Sequence, residues 1–75
     1  MVYQDSFEKE QIKLGETIKK FRKDRNLTQE ELADRSNMNV SYLAKIENGY
    51  VNTTIRYLLK IAKGLKIKVK DLFEF

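Results

Sequence analysis

Residues 27–49, LTQEELADRSNMNVSYLAKIENG, predict two short helices joined by a tight turn. Thr28 and Glu31 have the spacing of a capping box, in which each side chain accepts a hydrogen bond from the backbone N–H of the other residue. The first of these two helices, the second helix of the chain, therefore begins directly after Thr28. Asn39 is a favourable cap for the second helix, which ends at an Asn-Gly pair. No other segment constrains the fold of the chain as strongly.

The remaining segments also have a helical pattern. The chain has no proline and three glycines, and no stretch in which apolar and polar residues alternate strictly. We predict a first helix over residues 10–25, where Gly15 suggests the close approach of another element. Thr54 is predicted to cap a fourth helix, and a fifth follows at about residues 69–74. The predicted inward face of the fourth helix is Ile55, Leu58, Ile61, Ala62 and Leu65.

The length of the chain, 75 residues, predicts a single domain. We place this domain at residues 10–75 and treat residues 1–9 as an arm or an extension of the first helix. A domain of this size buries only about 60% of the surface that its unfolded chain exposes. Dimerisation is a natural source of additional stability.

Composition excludes most enzyme chemistry. The chain has no cysteine and no histidine, which removes disulfides, thiolate or imidazole metal sites and histidine-based acid–base catalysis. It also has no P-loop and no dinucleotide-binding glycine motif, so we expect no catalytic residues, no metal and no cofactor. The net charge of +4 suits a polyanionic partner, although many soluble domains carry a similar excess. Without a long apolar run, we expect no membrane association and a cytoplasmic location.

A specific set of residues extends through the predicted helices. Its members are Leu14-Gly15, Ile18, Arg22, residues 27–33 (LTQEELA), Ser41-Tyr42, Lys45-Ile46-Glu47, Gly49, residues 58–62 and Asp71-Leu72-Phe73. With this set, about four-fifths of the chain resembles the helix-turn-helix domain of phage Cro and repressor proteins, the Xre-like family. The resemblance implies an all-α, five-helix, lambda-repressor-like fold that binds double-stranded DNA.

The chain departs from the family pattern at several positions. The family often has glycine where this chain has Asn37 and Lys66, and serine where it has Lys68. Asparagine replaces glycine at little cost, but the two lysines leave the join between the fourth and fifth helices less well defined. The family frequently has glutamine or arginine early in its third helix. Here those positions are Val40 and Ser41, so specificity is expected to rest on fewer polar contacts.

The resemblance places the third helix, about residues 40–48, in the major groove of DNA. With Leu43 and Ile46 turned inward, the predicted base contacts are Val40, Ser41, Ala44 and Lys45. The predicted contacts to the DNA backbone are Gln29, Tyr42, Asn48, Asn52, Thr54 and Arg22. Simpler roles stay open: Lys45 as a solvated charge, the two asparagines as turn residues, and Tyr42 as a packing residue.

An ion pair between Arg22 and Glu47 is also implied by the resemblance. It would join the first helix to the end of the third and set the angle of the reading helix. The alternative is two unrelated surface charges, for which pairing contributes only about 0–1 kcal/mol.

A single domain of this size covers one half-site of DNA, so two copies related by a twofold axis are expected. The predicted residues of the dimer interface are Tyr57, Phe73 and Phe75, with Phe73 alternatively part of the core. Five lysines between residues 60 and 70 form a second basic cluster, which is either functional or simply the solvated face of the last two helices.

These observations favour a DNA-binding transcriptional regulator that acts as a homodimer. Within this class, the stretch Asn52-Thr53-Thr54-Ile55 is similar to the controller proteins of restriction-modification systems. The competing hypothesis is an antitoxin-like protein-binding module, which would hold a polypeptide partner through the Tyr3 and Phe7 arm or through residues 73–75.

Overall fold

The computed structural model describes residues 7–75, which form four α-helices and a short 3-10 helix. The α-helices are α1 (Glu8–Asp24), α2 (Gln29–Arg35), α3 (Val40–Glu47) and α4 (Ile55–Leu65), and the 3-10 helix covers Val69–Phe73. The all-α helix-turn-helix prediction is confirmed, but the fifth predicted helix is a 3-10 turn. Helix α1 begins two residues before the predicted boundary at residue 10. The predicted arm falls largely on residues 1–6, outside the described part of the chain.

Side-chain caps define where three of the helices begin. Thr28 and Glu31 form the predicted capping box, with bonds of 2.9 and 3.1 Å. The Thr28 N–H and hydroxyl stabilise the carboxylate and hold the pKa of Glu31 below its ordinary value. The Asn39 side chain accepts from two backbone N–H groups at the start of α3, and Thr54 accepts from the N–H of Tyr57 in α4. These three starts agree with the local sequence signals.

All four α-helices end in the same way. In each case one residue in the left-handed conformation and the residue after it donate their backbone N–H groups to the preceding turn, at 2.9–3.1 Å. This pattern is the Schellman motif. The left-handed residues are Asn26, Asn37, Gly49 and Lys66, with φ between 51° and 73°. Asparagine and glycine adopt this conformation readily, whereas lysine does so at a cost in free energy.

The core joins all of these helices. Its largest fully buried side chains are Ile18, Leu32, Leu43, Ile61, Leu65 and Leu72, and full burial of each contributes about 1.5–3 kcal/mol. The prediction that Ile55 points inward is wrong, since 64% of this residue is exposed. At 100° per residue it lies about 70° from the mean direction of the other four predicted core positions of α4.

Helix α1 makes a very close contact with the end of α3 at Gly15. A Cβ atom on this residue would lie 2.5 Å from the carbonyl oxygens of both Ile46 and Glu47. The close approach predicted from the sequence is therefore confirmed, and its partner is the backbone of α3. This contact places the carboxyl-terminal end of α3 against the middle of α1.

Candidate nucleic-acid interface

Helix α3 has one face in the core and one face open to solvent. Leu43 and Ile46 are buried, which leaves Ser41, Lys45 and Asn48 exposed along the opposite face. These three positions recur at the spacing of successive helical turns, and the half-buried Ala44 lies between them. We call the four residues the α3 stripe. Together they form a narrow surface with one cation and two small polar groups.

Val40 has a different position from the other predicted base contacts. It is half-buried and packs against the core at the start of α3. Part of its side chain therefore supports the helix, and only the remainder is accessible to a ligand.

Two side chains, those of Arg22 and Gln29, donate three hydrogen bonds to the carboxylate of Glu47, whose side chain is 1% exposed. Arg22 Nε donates to Oε2 at 2.8 Å and Arg22 Nη2 donates to Oε1 at 3.0 Å. Gln29 Nε2 also donates to Oε1, at 3.0 Å. We call these residues the Glu47 network. It connects α1, the first residue of α2 and the last residue of α3.

The predicted role of Arg22 as a phosphate contact does not fit its surroundings. Its side chain is 9% exposed, and Nη1 donates to the carbonyl of Leu27 at 2.8 Å in addition to the two bonds to Glu47. A guanidinium held in this way has a structural role. It is one half of a buried ion pair, and breaking such a pair is costly because it leaves a charge uncompensated.

Gln29 is held in a defined orientation by the same network. An ionised carboxylate only accepts hydrogen bonds, so the amide nitrogen of Gln29 must face Glu47. Its amide oxygen and second N–H then point elsewhere on this half-buried residue. A DNA phosphate could accept from that second N–H without disturbing the network.

Tyr42 packs within the protein, which was the simpler of its two predicted roles. Its ring centroid lies 4.8 Å from that of Tyr57, and its hydroxyl shares a hydrogen bond with Thr53 Oγ1 at 3.2 Å. The ring of Tyr57 thus faces α3. One face of the Tyr57 ring is therefore covered within the chain, and its predicted place in a dimer interface stays a prediction.

The segment after α3 contributes further exposed polar groups. Asn52 and Thr54, two of the predicted contacts to the DNA backbone, are exposed. Two further exposed residues were not predicted from the sequence. Tyr50 is 76% exposed, and Arg56 is exposed in the first turn of α4. A count of charges would have drawn attention to Arg56, because it is the first cation in a long segment without acidic residues.

The excess positive charge of the chain lies entirely in that segment. Residues 1–47 contain nine Lys or Arg and nine Asp or Glu, whereas residues 48–70 contain six Lys or Arg and no acidic residue. This segment covers the loop after α3, all of α4 and the start of the 3-10 helix. The net positive charge is therefore confined, along the sequence, to this one segment.

Exposed apolar side chains offer a surface for a protein partner. Phe73 and Phe75 are 46% and 51% exposed, with ring centroids 6.4 Å apart. On α4, Ile55 and Leu59 are 64% and 51% exposed and lie one turn apart along the same edge. This α4 pair was not predicted from the sequence, because Ile55 was assigned to the core and Leu59 entered only as part of residues 58–62 of the family pattern.

The part of the chain that the structure describes has no cluster of three or more residues able to hold a metal ion. Over the same residues, no helix is long and apolar enough to cross a membrane.

The family model described as helix-turn-helix matches residues 18–72. The chain is 38% identical over 63 residues to control protein C.MunI of Mycoplasma sp, which covers 83% of this chain and 85% of that protein. It is 43% identical over 59 residues to the immunity repressor protein of Bacillus phage phi105. That match covers 79% of this chain and 41% of the repressor, so the chain spans about two-fifths of the repressor's length.

Among solved structures, the fold is similar to the restriction-modification controller protein C.AhdI from Aeromonas hydrophila. The TM-score is 0.85 at 32% sequence identity, and the match covers 87% of this chain and 98% of the controller protein. The similarity thus extends over nearly the whole of a protein of similar size.

Proposed function

The chain belongs to the helix-turn-helix family of transcriptional regulators, and we propose that it binds double-stranded DNA as a homodimer with α3 in the major groove. The observation that carries this proposal is the α3 stripe. It is an exposed polar face on the second helix of the motif, and the Glu47 network holds the end of that helix. When a helix-turn-helix motif binds DNA, its second helix lies in the major groove and its first helix crosses the DNA backbone.

The α3 stripe and Val40 supply the proposed base contacts. Ser41 can donate to or accept from several bases, and Lys45 can donate to guanine O6 and N7. The methyl groups of Val40 and Ala44 suit a thymine methyl group. Gln29, Asn48, Asn52 and Thr54 are proposed to contact phosphates, to which we add Arg56. Arg22 and Tyr42 are assigned to the support of the reading helix.

The proposed dimer forms through the exposed apolar residues of α4 and of the carboxyl end. We replace Tyr57 with Ile55 and Leu59 in this interface and retain Phe73 and Phe75. In a symmetric dimer the half-sites would be centred about 34 Å apart, one turn of DNA. The cations of residues 48–70 from both copies would also come close together, so DNA would relieve a repulsion that the dimer itself creates.

Regulation by a controller protein of a restriction-modification system is the proposed biological setting. The similarity to C.MunI and C.AhdI over most of their lengths supports it. A DNA-binding regulator must share a compartment with the DNA that it binds, so the proposed location is the cytoplasm. We also propose that the protein has no enzymatic activity, in line with regulators as its relatives.

A second candidate is an antitoxin-like module that binds another polypeptide. The observation that favours it is the exposed pair Phe73 and Phe75, which would suit an apolar segment of a partner as well as a second copy of the chain. Co-purification of a single partner at fixed stoichiometry, with no self-association of the isolated chain, would favour this candidate.

Selection of bound duplexes from a random DNA pool tests the proposed function. The selection is made at about physiological salt, where specific and non-specific binding separate. We expect enrichment of a twofold-symmetric site with half-sites about ten base pairs apart. Light scattering on the free protein and on the complex then gives the number of copies bound. Folded protein that enriches no sequence would overturn the proposal.

A further inference from the structure

The first turn of α3 is supported by a row of contacts that joins α4, Tyr42 of α3 and the loop between the two helices. Lys60 Nζ donates to the backbone carbonyl of Asn37, in the turn of the motif, at 3.2 Å. The same ammonium lies 5.4 Å from the centre of the Tyr57 ring, within the range of a cation–π contact. Tyr57 in turn packs on Tyr42, and Tyr42 is bonded to Thr53. We call this row the tyrosine brace.

The tyrosine brace lies directly behind the proposed reading surface. Tyr42 is half-buried, and its neighbours in the helix are Ser41 and, one turn on, Lys45. The ring of Tyr57 occupies the space behind Tyr42 with a centroid distance of 4.8 Å and a tilt of 54°, a favourable geometry for an aromatic pair. Movement of Tyr42 would therefore change the direction of the two polar side chains beside it.

We infer that Tyr57 is a positioning residue for sequence reading, and that it fixes the first turn of α3 through the ring of Tyr42. This inference rests on the proposed function. Tyr57 itself faces the reading helix, so it acts without touching a base. Hydrogen bonds to base edges require donor–acceptor distances within a few tenths of an ångström, and a small rotation of α3 is enough to weaken them.

The Glu47 network and the tyrosine brace hold opposite ends of α3. The network holds the last residue of the helix through an ion pair, and the brace holds its first turn through aromatic packing. Loss of the brace should therefore leave α3 attached but free to pivot at its first turn. Contacts to phosphate from α2 and from the loop after α3 would remain in place.

The test compares Tyr57→Ala and Tyr57→Leu, which both remove the ring, with Tyr57→Phe, which keeps it. Affinity is measured for the selected DNA site and for an unrelated duplex over a range of salt concentrations, with every variant shown to be folded by circular dichroism. We expect the ratio of specific to non-specific affinity to fall about 3- to 10-fold for Ala and Leu, on the scale of a lost aromatic pair. Tyr57→Phe should keep the wild-type ratio.

The salt dependence separates positioning from direct contact. A lost phosphate contact would lower the slope of log affinity against log salt by about 0.9, whereas a lost positioning residue should leave the slope unchanged. Equal loss of specific and non-specific affinity would overturn the inference, as would a lower slope or a wild-type ratio in the folded Leu variant. Lys20→Ala, on the exposed face of α1, serves as the matched control and should retain the specificity ratio.

A second readout does not depend on DNA. Residual dipolar couplings of the α3 amides, which report orientation and do not sense the missing ring itself, should change in Tyr57→Ala and Tyr57→Leu most strongly at the first turn. Tyr57→Phe should leave them close to wild type. Changes confined to α4 would overturn the inference. If the wild-type protein prefers no DNA sequence, the proposed function itself fails, and that result is obtained before any variant is measured.

Discussion

Substitution of Glu47 by glutamine should destabilise the fold far more than its similar size suggests. The wild-type carboxylate is 1% exposed and accepts three hydrogen bonds, two from Arg22 and one from Gln29. Glutamine offers one acceptor oxygen and places an NH2 group against at least one donor. The guanidinium, with 9% of its side chain exposed, would then be left without a counter-charge. Breaking a buried pair from one side costs about 3–5 kcal/mol.

That cost is large compared with the total stability of the domain. A chain of 75 residues has an unfolding free energy of about 4–11 kcal/mol at typical values per residue. Each kcal/mol shifts the thermal midpoint of a domain of this size by about 4–8 °C, so the variant should melt at least about 12 °C below wild type. Urea unfolding followed by circular dichroism, at fixed protein concentration, measures the difference directly.

Two further variants isolate the cause of the expected loss. Glu16→Gln, on the exposed surface of α1, should change stability by less than about 0.5 kcal/mol. The double variant Arg22→Met with Glu47→Met removes both charges and should be more stable than Glu47→Gln, because apolar replacements of a buried pair are often neutral or stabilising. Recovery should be incomplete, since the Leu27 carbonyl and the Gln29 amide also lose their partners. A cost below about 1 kcal/mol for Glu47→Gln would refute this reasoning, since that value belongs to an exposed pair.

Four other changes have expected outcomes. Gly15→Ala should lower the thermal midpoint, because overpacking against the α3 carbonyls costs about 1–3 kcal/mol. That cost outweighs the gain of up to about 1 kcal/mol in helix propensity. An unchanged or raised midpoint would contradict the close contact. Lys66→Gly should raise the midpoint by relieving about 1 kcal/mol of left-handed strain, whereas Lys66→Ala should not, and equal effects would point to charge. Gln29→Ala should weaken binding to all duplexes alike, while Ser41→Ala should alter base preference in the selection. A change of base preference in Gln29→Ala, with uniform weakening in Ser41→Ala, would show that the phosphate and base roles were assigned to the wrong residues. Sedimentation should show the dimer strengthening with salt while DNA binding weakens, and a dimer weakened by salt would exclude repulsion between the two basic segments.

The helix boundaries were predictable because their signals are local. The Thr28 and Glu31 capping box and the Asn39 cap each act within three residues of the chain, so composition and spacing were sufficient. Ile55 was assigned wrongly for a related reason. Its spacing fits the apolar pattern of α4, but exposure at the edge of a face depends on neighbouring elements, which local pattern does not contain.

The candidate site was less accessible to sequence reasoning. Arg22 and Glu47 are 25 residues apart, and only the family resemblance suggested that they meet. Their burial was not foreseen, nor was the bond that orients Gln29. The packing of Tyr57 on Tyr42 was also missed, because it depends on how α4 crosses α3. Residue type indicated which groups are able to contact DNA, and the tertiary structure decides which of them are free to do so.

The short length of α3 explains why these tertiary contacts matter for reading. An isolated helix needs about 12–15 residues to be even marginally stable in water, and α3 has eight. Its orientation must therefore come from Leu43 and Ile46 in the core, from the Glu47 network at its end and from the tyrosine brace at its first turn. Few positions of α3 remain exposed for base contacts. Changes in neighbouring supports, as well as in those few positions, are consequently expected to alter which DNA sequence the protein prefers.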